Sequence, residues 1–538
     1  MTVTQPLSPS SSPIHASVLD CQSDRPRFSR DLGCNELSYF LPSRADGVND
    51  MYLHLGFQAP PELISPQRVH AIWAVQRLRH PLLASRVNAP DASCARFEYD
   101  IPATVDEALR LAAEESSLTS SSKDDLLSNY LNGPRLLSAW RTSFLIVARD
   151  PERKDEWHLV LCAMHCIGDG MALHTCANEI MLLLGAGGNI DELKRVVGLE
   201  LDKQNGLPRS MEAALPALPN GLRRAIGMVD DQLLSTKQIV RLMDLKSVLC
   251  TNLVTYRHGR CQGGQSFPKV KGATRKTVVP TVSFDKERTK KILARCKANG
   301  VSVSSAVFAL CNIAWAKLLA RGVVNAEMGA KLPTIVSLSR PRRARAHAPS
   351  PGRILPSFIP SESASIHRTF WHRARLAKAQ SAAAVKSQFI ISRTQLTASK
   401  RKEQAIKWAK IDDEEAARTR TGLLTPATTP IKEQPPALPN VEHRASRANP
   451  APPSTALMGL SLLGNLDGMY THAAYGPIKL DALTTGSRQR AGAVLLFSYT
   501  FVGKLWLCFG YDENGFDRAV VEEFWKEVVG GVDEMIGT

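Results

Sequence analysis

The residues with the clearest chemical potential form one short segment, Met164-His165-Cys166-Ile167-Gly168-Asp169-Gly170. A histidine side chain has a reference pKa of about 6.5, so a neutral ring that can accept a proton is present at cellular pH. Gly168 and Gly170 permit unusual backbone angles and close approach of a ligand, and Asp169 can hold the loop through hydrogen bonds or an arginine partner. The segment therefore predicts general-base chemistry at His165.

Two strands and a helix are expected to position this segment. The apolar pattern predicts a hairpin of strands at residues 140–148 and 157–164, and the second strand leads directly into His165. An apolar-rich helix is predicted at residues 171–184. His165 is therefore expected in a loop between a strand and a helix.

The remaining predicted elements give the chain two halves of similar make-up. In the first half we expect helices at 66–78 and 106–115 and a strand at 84–87. In the second half we expect helices from residue 285, at 304–319 and at 520–536, and strands at 277–284, 333–339, 457–464, 493–500 and 505–511. A chain of 538 residues is too long for one ordinary core. The expected fold class is α/β (α+β), with two domains and mixed sheets.

Composition along the chain predicts the domain boundaries. Residues 1–27 form a polar leader that we expect to be disordered, and residues 28–215 form the N-terminal half. A crossover rich in Pro, Gly and basic residues is expected at 216–275. The C-terminal half would occupy 276–538 and contain a basic, low-complexity insertion at about 341–455.

The net charge of +16 is concentrated in that insertion. Residues 340–450 hold 21 Lys and Arg and 8 Asp and Glu, which is 21 − 8 = +13. The insertion lacks the aromatic interleaving of single-strand and RNA readers, so we expect no nucleic-acid partner. Basic residues at 340–345, with Arg373 and Arg375, can attract the phosphates of coenzyme A, but a solvated loop is the favoured interpretation. Residues 421–450, rich in Pro and Thr, are expected to be disordered.

Targeting signals and cysteines indicate an intracellular protein. The N-terminus is rich in Ser, Pro and Thr where a signal peptide would be apolar, and we expect no membrane span. The eleven cysteines include no Cys-x-x-Cys pair, which favours reduced thiols. We expect a cytoplasmic or peroxisomal monomer that is not secreted. His158 and His174 are interpreted as packing residues without a metal, and Cys166 as a structural thiol.

The motif resembles the signature of a known superfamily. His165-x-x-x-Asp169-Gly170 matches the His-x-x-x-Asp-Gly pattern of the CoA-dependent acyltransferase superfamily, which includes chloramphenicol acetyltransferase, plant alcohol acyltransferases and condensation domains. Further segments that resemble the superfamily's landmarks occur in the expected order: Arg79-His80-Pro81-Leu82-Leu83, Gly133-Pro134-Arg135-Leu136 and Ser339-Arg340-Pro341. The resemblance covers about residues 28–340 and 457–530.

Two longer segments resemble a fungal branch of that superfamily. Residues 35–44 and 461–468 are similar to the branch that contains trichothecene 15-O-acetyltransferases and the acyltransferases of mannosylerythritol lipid synthesis. The resemblance implies two chloramphenicol-acetyltransferase-like domains with the active site at their interface. It implies His165 as general base, room for the reactants at Gly170, and a brace between Asp169 and Arg340. It also implies acyl-CoA as donor and no permanently bound cofactor.

The resemblance leaves several functions open. Condensation domains carry a second histidine where this chain has Met164, which favours free acyl-CoA over a carrier-protein donor. The leading hypothesis is an O-acyltransferase acting on a hydroxyl of a fungal secondary metabolite, preferably a glycolipid such as mannosylerythritol lipid. A trichothecene-like sesquiterpenoid is the alternative acceptor. A non-catalytic binding protein on the same fold is the alternative from another class.

Overall fold

The structure, a computed structural model, describes residues 26–216, 267–268, 270, 274–324, 334–339, 350–355, 363–387, 389–422 and 458–537. Its strands are β1 Arg27–Asp31, β2 Met51–Gln58, β3 Arg86–Asp91, β4 Cys94–Asp100, β5 Ser116–Ser120, β6 Ser143–Arg149, β7 Glu156–Ala163, β8 Thr277–Val278, β9 Thr281–Phe284, β10 Thr334–Ser339, β11 Ser350–Leu355, β12 Met458–Asn465, β13 Lys479–Ser487, β14 Val494–Phe501 and β15 Lys504–Asp512. Its helices are α1 Cys34–Ser43, α2 Pro66–Arg79, α3 Val105–Glu114, α4 Lys123–Asn132, α5 Gly170–Gly185, α6 Ile190–Asp202, α7 Met211–Ala214, α8 Lys286–Ala298, α9 Val303–Ala320, α10 Ser363–Lys386, α11 Ile390–Gly422 and α12 Arg518–Gly531.

The N-terminal sheet has the strand order β13-β2-β7-β6-β5. Its strands pair antiparallel except for the parallel pair β5 and β6. Strand β2 is buried from Met51 to Phe57 because helices α2 and α5 pack on one side of this sheet and the cluster containing α1 covers the other. Sheets that are covered on both faces select apolar residues at successive positions, which explains the near-continuous apolar runs in β6 and β7. The central strand β7 ends directly before the predicted catalytic segment.

One strand of the N-terminal sheet comes from the far end of the chain. Strand β13 pairs antiparallel with β2 from Lys479 opposite Gln58 to Ser487 opposite Met51. Sequence patterns predicted no strand at residues 479–487, and a division of the chain into two consecutive halves does not anticipate this exchange. The two halves are therefore joined by a shared sheet as well as by packing.

The C-terminal sheet packs against a long apolar helix. Its strand order is β11-β10-β12-β14-β15-β8, and β9 also pairs with β15. Strands β10, β12 and β14 run parallel, and β11, β15, β8 and β9 pair antiparallel with their neighbours. Helix α9 is long and apolar enough to cross a membrane, but 78% of its apolar window is buried inside the protein. It serves as the central helix of this half's hydrophobic core.

The mixed α/β class predicted from the sequence is confirmed, with both parallel and antiparallel strand pairs. Helices α2, α3, α5, α9 and α12 lie where apolar periodicity predicted them. In the described residues eight cysteines are free thiols, and six of these are buried. The leader before residue 26, most of the expected crossover, Arg340 and the residues from 423 to 457 lie outside the described residues.

The basic insertion contains two long helices, α10 and α11, where the sequence favoured a solvated loop around Arg373 and Arg375. That expectation is wrong for Arg373, whose side chain is 4% exposed. Its Nη1 donates to Asn312 Oδ1 of helix α9 at 2.7 Å, and burial lowers the pKa of Arg373 to about 10. Helix α10 packs on α9 through one apolar face, and its buried alanines lie on that face beside Phe370.

Arg373 and Lys378 lie on the same helix but differ in burial, so removing their side chains should change the stability of the protein by different amounts. We expect Arg373→Ala to lower the free energy of unfolding by about 3 kcal/mol, because it removes packed side-chain atoms and the donor to buried Asn312. Lys378 is exposed on the same helix and donates to the Gly300 carbonyl. Lys378→Ala should cost less than about 0.5 kcal/mol. Urea denaturation of both variants checks this, and equal small effects would contradict the buried position of Arg373.

Candidate active site

His165 lies in the loop that connects β7 to α5, as the sequence predicted. The strand stops at Ala163, and the Met164 N–H then donates to the Thr142 carbonyl at 2.9 Å. A tight turn follows, in which the Ile167 N–H donates to the Met164 carbonyl at 3.1 Å. The chain reverses into helix α5 within a few residues, so the His165 side chain projects from the end of the central sheet.

Two contacts fix the orientation of the His165 ring. Its Nδ1 lies 3.1 Å from the Gly168 carbonyl oxygen. A carbonyl oxygen accepts only, so in the neutral ring Nδ1 carries the proton and Nε2 carries the lone pair. The ring also stacks on Tyr39 of α1, with centroids 3.8 Å apart and planes 8° from parallel. This arrangement presents Nε2 as the basic nitrogen.

The stack on His165 continues into the insertion. The Arg401 guanidinium carbon lies 4.8 Å from the centroid of the Tyr39 ring, so helix α11 contacts the tyrosine that contacts the histidine. Helix α11 is held along α1 by the ion pair between Arg44 and Asp413 at 2.9 Å. Sequence reasoning assigned no role to Tyr39 or Arg401. Tyr39 lies in the segment 35–44 that resembles the fungal branch, which was the available signal.

Asp169 and Gly170 occupy the positions that the motif assigns to supporting residues. The Asp169 side chain caps helix α5 by accepting the Ala172 N–H at 2.8 Å. Its expected brace to Arg340 stays a prediction, because Arg340 lies outside the described residues. A methyl group placed on Gly170 would lie 4.0 Å from Leu463 Cδ2 of strand β12. The His165 loop therefore faces strand β12 of the C-terminal sheet, and a side chain at position 170 would reduce the space between them.

The Arg79-His80-Pro81 segment braces helix α5 from the opposite side. His80 Nε2 lies 3.3 Å from Glu179 Oε2 on α5, and this contact holds the pKa of Glu179 below its usual value. Arg79 Nε donates to Glu200 of α6 at 2.8 Å. The Arg79-His80-Pro81 segment therefore holds in place the helix that begins at the His165 loop.

The Gly133-Pro134-Arg135 segment contributes to a buried charged network near the site. Arg135 donates twice to Asp50, from Nε at 2.7 Å and from Nη2 at 3.0 Å. Burial raises the pKa of the Asp50 carboxyl, and the Arg135 guanidinium opposes that shift. Arg488, directly after β13, donates to the Tyr130 and Gly133 carbonyls. This network fastens the shared strand to the N-terminal half.

The other candidate residues have structural surroundings. Burial raises the pKa of the Cys166 thiol, which disfavours the nucleophilic thiolate. His158 is buried between His54 Nε2 at 3.2 Å and Asp150 Oδ2 at 3.2 Å. Oxygen and nitrogen donors of Asp150, Glu156 and His158 lie within 4.8 Å of one another, close enough to hold a cation. Arg153 pairs with both carboxylates, which accounts for their closeness without an ion.

Comparison with solved structures identifies the fold. No protein-family description matches the sequence, and no curated protein matches it. The structure of TRI3 trichothecene 15-O-acetyltransferase from Fusarium sporotrichioides superposes with a TM-score of 0.67 at 13% sequence identity, over 95% of this chain and 96% of that chain. The chain shares the fold of this acetyltransferase. The expected two-domain, chloramphenicol-acetyltransferase-like architecture is thereby confirmed.

Two other solved structures superpose with lower TM-scores. Polyketide synthase associated protein 5 from Mycobacterium tuberculosis gives a TM-score of 0.49 at 10% identity, over 94% of this chain and 100% of that chain. The condensation domain from Monacolin K polyketide synthase MokA gives 0.48 at 12% identity, over 95% and 98%.

His174 links helix α5, which follows the His165 loop, to the C-terminal half. Its Nδ1 lies 2.8 Å from the Tyr470 hydroxyl, and both side chains are buried. Burial lowers the pKa of His174 to about 3. Nearby, Asn178 Oδ1 of the same helix accepts hydrogen bonds from the Thr471 N–H at 3.0 Å and the Tyr475 hydroxyl at 2.6 Å. The segment after β12 is therefore docked on α5.

The depressed pKa of His174 predicts a loss of stability in mild acid. The His174 ring is protonated near pH 6.5 in the unfolded chain but near pH 3 in the folded protein. The contribution of the neutral ring to stability is therefore full above pH 6.5 and falls as the pH decreases toward 3. Between neutral pH and pH 5 the loss from this residue should be about 2 kcal/mol. His174→Gln keeps a hydrogen-bonding side chain that does not titrate. Urea denaturation at both pH values should show the smaller loss in the variant, and identical losses would contradict the assignment.

Proposed function

We propose that this protein is an O-acyltransferase that transfers an acyl group from acyl-CoA to a hydroxyl of a fungal secondary metabolite, with His165 as general base. The observation that carries the proposal is the fixed His165 ring, whose Nδ1 faces the Gly168 carbonyl at 3.1 Å and whose basic nitrogen is Nε2. The shared fold with an acetyltransferase supports the same reaction class. The loop's place opposite strand β12 supports a site between the two halves.

The proposed reaction moves one proton through His165. Nε2 takes the proton of the acceptor hydroxyl while that oxygen bonds to the thioester carbonyl carbon. The tetrahedral intermediate then breaks the carbon–sulfur bond, and the coenzyme A sulfur leaves with the proton returned by His165. We expect Gly170 to leave room for the reactants at this point, and Asp169 caps the start of helix α5.

Free acyl-CoA is the proposed donor. Met164 stands where condensation domains carry a second histidine, and its side chain is buried beside Cys166 in the core cluster that contains α1. A carrier-protein thioester is therefore the less favoured donor. Incubation with acyl-CoA and, separately, with an acylated pantetheine carrier distinguishes the two by the product formed.

A glycolipid such as mannosylerythritol lipid is the proposed acceptor. The second candidate is a trichothecene-like sesquiterpenoid, which is favoured by the structural match to an enzyme described as a trichothecene 15-O-acetyltransferase. Purified protein incubated with a mixture of acyl-CoAs and each acceptor, followed by mass spectrometry, identifies the acylated product. Binding of an acceptor without turnover would instead favour a non-catalytic binding protein on this fold.

The general-base role predicts a large kinetic loss when the imidazole is removed. We expect His165→Ala to lower kcat by about 10²- to 10⁴-fold, the usual contribution of general acid–base catalysis. Coenzyme A release and the mass of the acylated acceptor measure the rate. The control is His372→Ala, an exposed histidine on α10, which should keep full activity. Normal turnover by His165→Ala with the true acceptor would reject the assignment.

The stack on His165 makes Tyr39 a positioning residue for the same reaction. Tyr39→Leu removes the flat ring and should lower kcat about fivefold, with an unchanged KM for acyl-CoA, because a stacked pair contributes roughly 1 kcal/mol. Tyr39→Phe retains the ring and should restore kcat. Steady-state kinetics of both variants test this. An equal loss in the phenylalanine variant would show that the hydroxyl, and not the stack, is what matters.

A further inference from the structure

An exposed tryptophan stands beside a cleft on the N-terminal half. The Trp140 side chain is 77% exposed, the most of any large apolar side chain in the described residues. It sits on a tight turn closed by reciprocal backbone hydrogen bonds between Ser138 and Arg141, at 2.9 and 3.0 Å. The Arg86 guanidinium carbon lies 5.7 Å from the ring. An isolated exposed apolar residue is ordinary, but this one lines an open cleft of about 410 Å³, a size typical of small-molecule sites.

The cleft reaches from Trp140 toward the catalytic loop. Its lining includes the buried apolar side chains of Phe40, Val87 and Met164. Met164 immediately precedes His165, and Phe40 follows Tyr39, which stacks on the His165 ring. Two residues of the lining are therefore chain neighbours of the stacked His165 and Tyr39 rings.

The cationic side chains of the cleft are already neutralised. Arg135 makes its two hydrogen bonds to Asp50. Arg86 pairs with Glu98 at 2.9 Å and with Asp100 at 2.7 Å. A guanidinium that is saturated by carboxylates offers little attraction to a phosphate.

Summed charge also argues against an anionic ligand. The third arginine of the lining, Arg44, pairs with Asp413. Arg27 also pairs with Asp100, at 2.6 Å, so four guanidinium groups face four carboxylates, those of Asp50, Glu98, Asp100 and Asp413. The nucleotide end of acyl-CoA carries several phosphate charges and finds no positive excess here. A neutral ligand that offers both an apolar face and hydroxyl groups fits this charge-balanced, largely apolar lining better.

We propose that this cleft binds a pyranose ring of the acceptor, with the indole of Trp140 as its stacking platform. The apolar C–H face of a pyranose packs on the electron-rich face of an indole, and its hydroxyls hydrogen-bond to planar polar side chains at the rim. Asn88 and Glu98 supply such groups, and the Asn88 amide already donates to Glu98 Oε1 at 2.9 Å. The inference rests on the proposed function, because it gives the acceptor a sugar and places that sugar beside the site of acyl transfer.

Saturation-transfer NMR on the full-length protein tests the cleft without requiring catalysis. The probe is octyl β-D-mannopyranoside below its micelle concentration, compared with 1-octanol and with coenzyme A. The variants are Trp140→Ala, Trp140→Phe and the matched control Leu199→Ala, which removes an exposed apolar side chain of α6. Because Trp140 is exposed, all variants should keep the wild-type melting temperature.

The expected result is saturation of the pyranose ring protons, with affinity about tenfold weaker in Trp140→Ala, partly recovered in Trp140→Phe and unchanged in Leu199→Ala. Coenzyme A should neither compete with the glycoside nor lose affinity in Trp140→Ala. Unchanged glycoside binding by Trp140→Ala, saturation confined to the octyl protons, or displacement by coenzyme A would each overturn the proposal. Absence of turnover with every acyl-CoA would reject the proposed function alone, since the binding readout does not depend on it.

Discussion

The pairing of strand β13 with β2 is the contact on which the rest of the molecule depends. It runs from Lys479 opposite Gln58 to Ser487 opposite Met51, and Arg488 continues the attachment by donating to backbone carbonyls of the N-terminal half. Strand β7 is the next strand of that sheet, so the loop that carries His165 inherits its position from this pairing. The position of β12 relative to the His165 loop follows from the same pairing, because β12 and β13 belong to one continuous segment of chain.

Local sequence patterns predicted the helices and strands whose formation depends mainly on neighbouring residues. The apolar run of β7, the helix α5 and the motif between them could be read directly, and His165 lies in the predicted loop. Strand β13 could not, because residues 479–487 contain Lys, Asp, Thr and Gly and become a buried strand only through a distant partner. The stack of Tyr39 on His165 was hidden for the same reason. Helices α10 and α11 were predictable in principle, since Ala, Lys, Arg and Gln are strong helix formers.

The basic insertion shows why summed charge is a poor guide to function. Two of its described cations make specific contacts: Arg373 is buried against Asn312, and Arg401 lies over Tyr39. Helix α11 also supplies Asp413 to the Arg44 side chain that lines the cleft beside Trp140. Helix α11 of the insertion thus contacts the face where α1 meets the His165 loop. Net charge describes long-range fields, whereas these contacts act at van der Waals distance.

The exchange of β13 has a consequence for how the protein is made. During synthesis on the ribosome, β2 leaves the exit tunnel long before β13 and has no partner on that edge until nearly the whole chain is available. An apolar edge strand such as Met51–Gln58 is a template for wrong pairing with other chains. Completion of the N-terminal sheet is therefore a late, long-range folding event, and until it occurs β2 exposes an unpaired apolar edge.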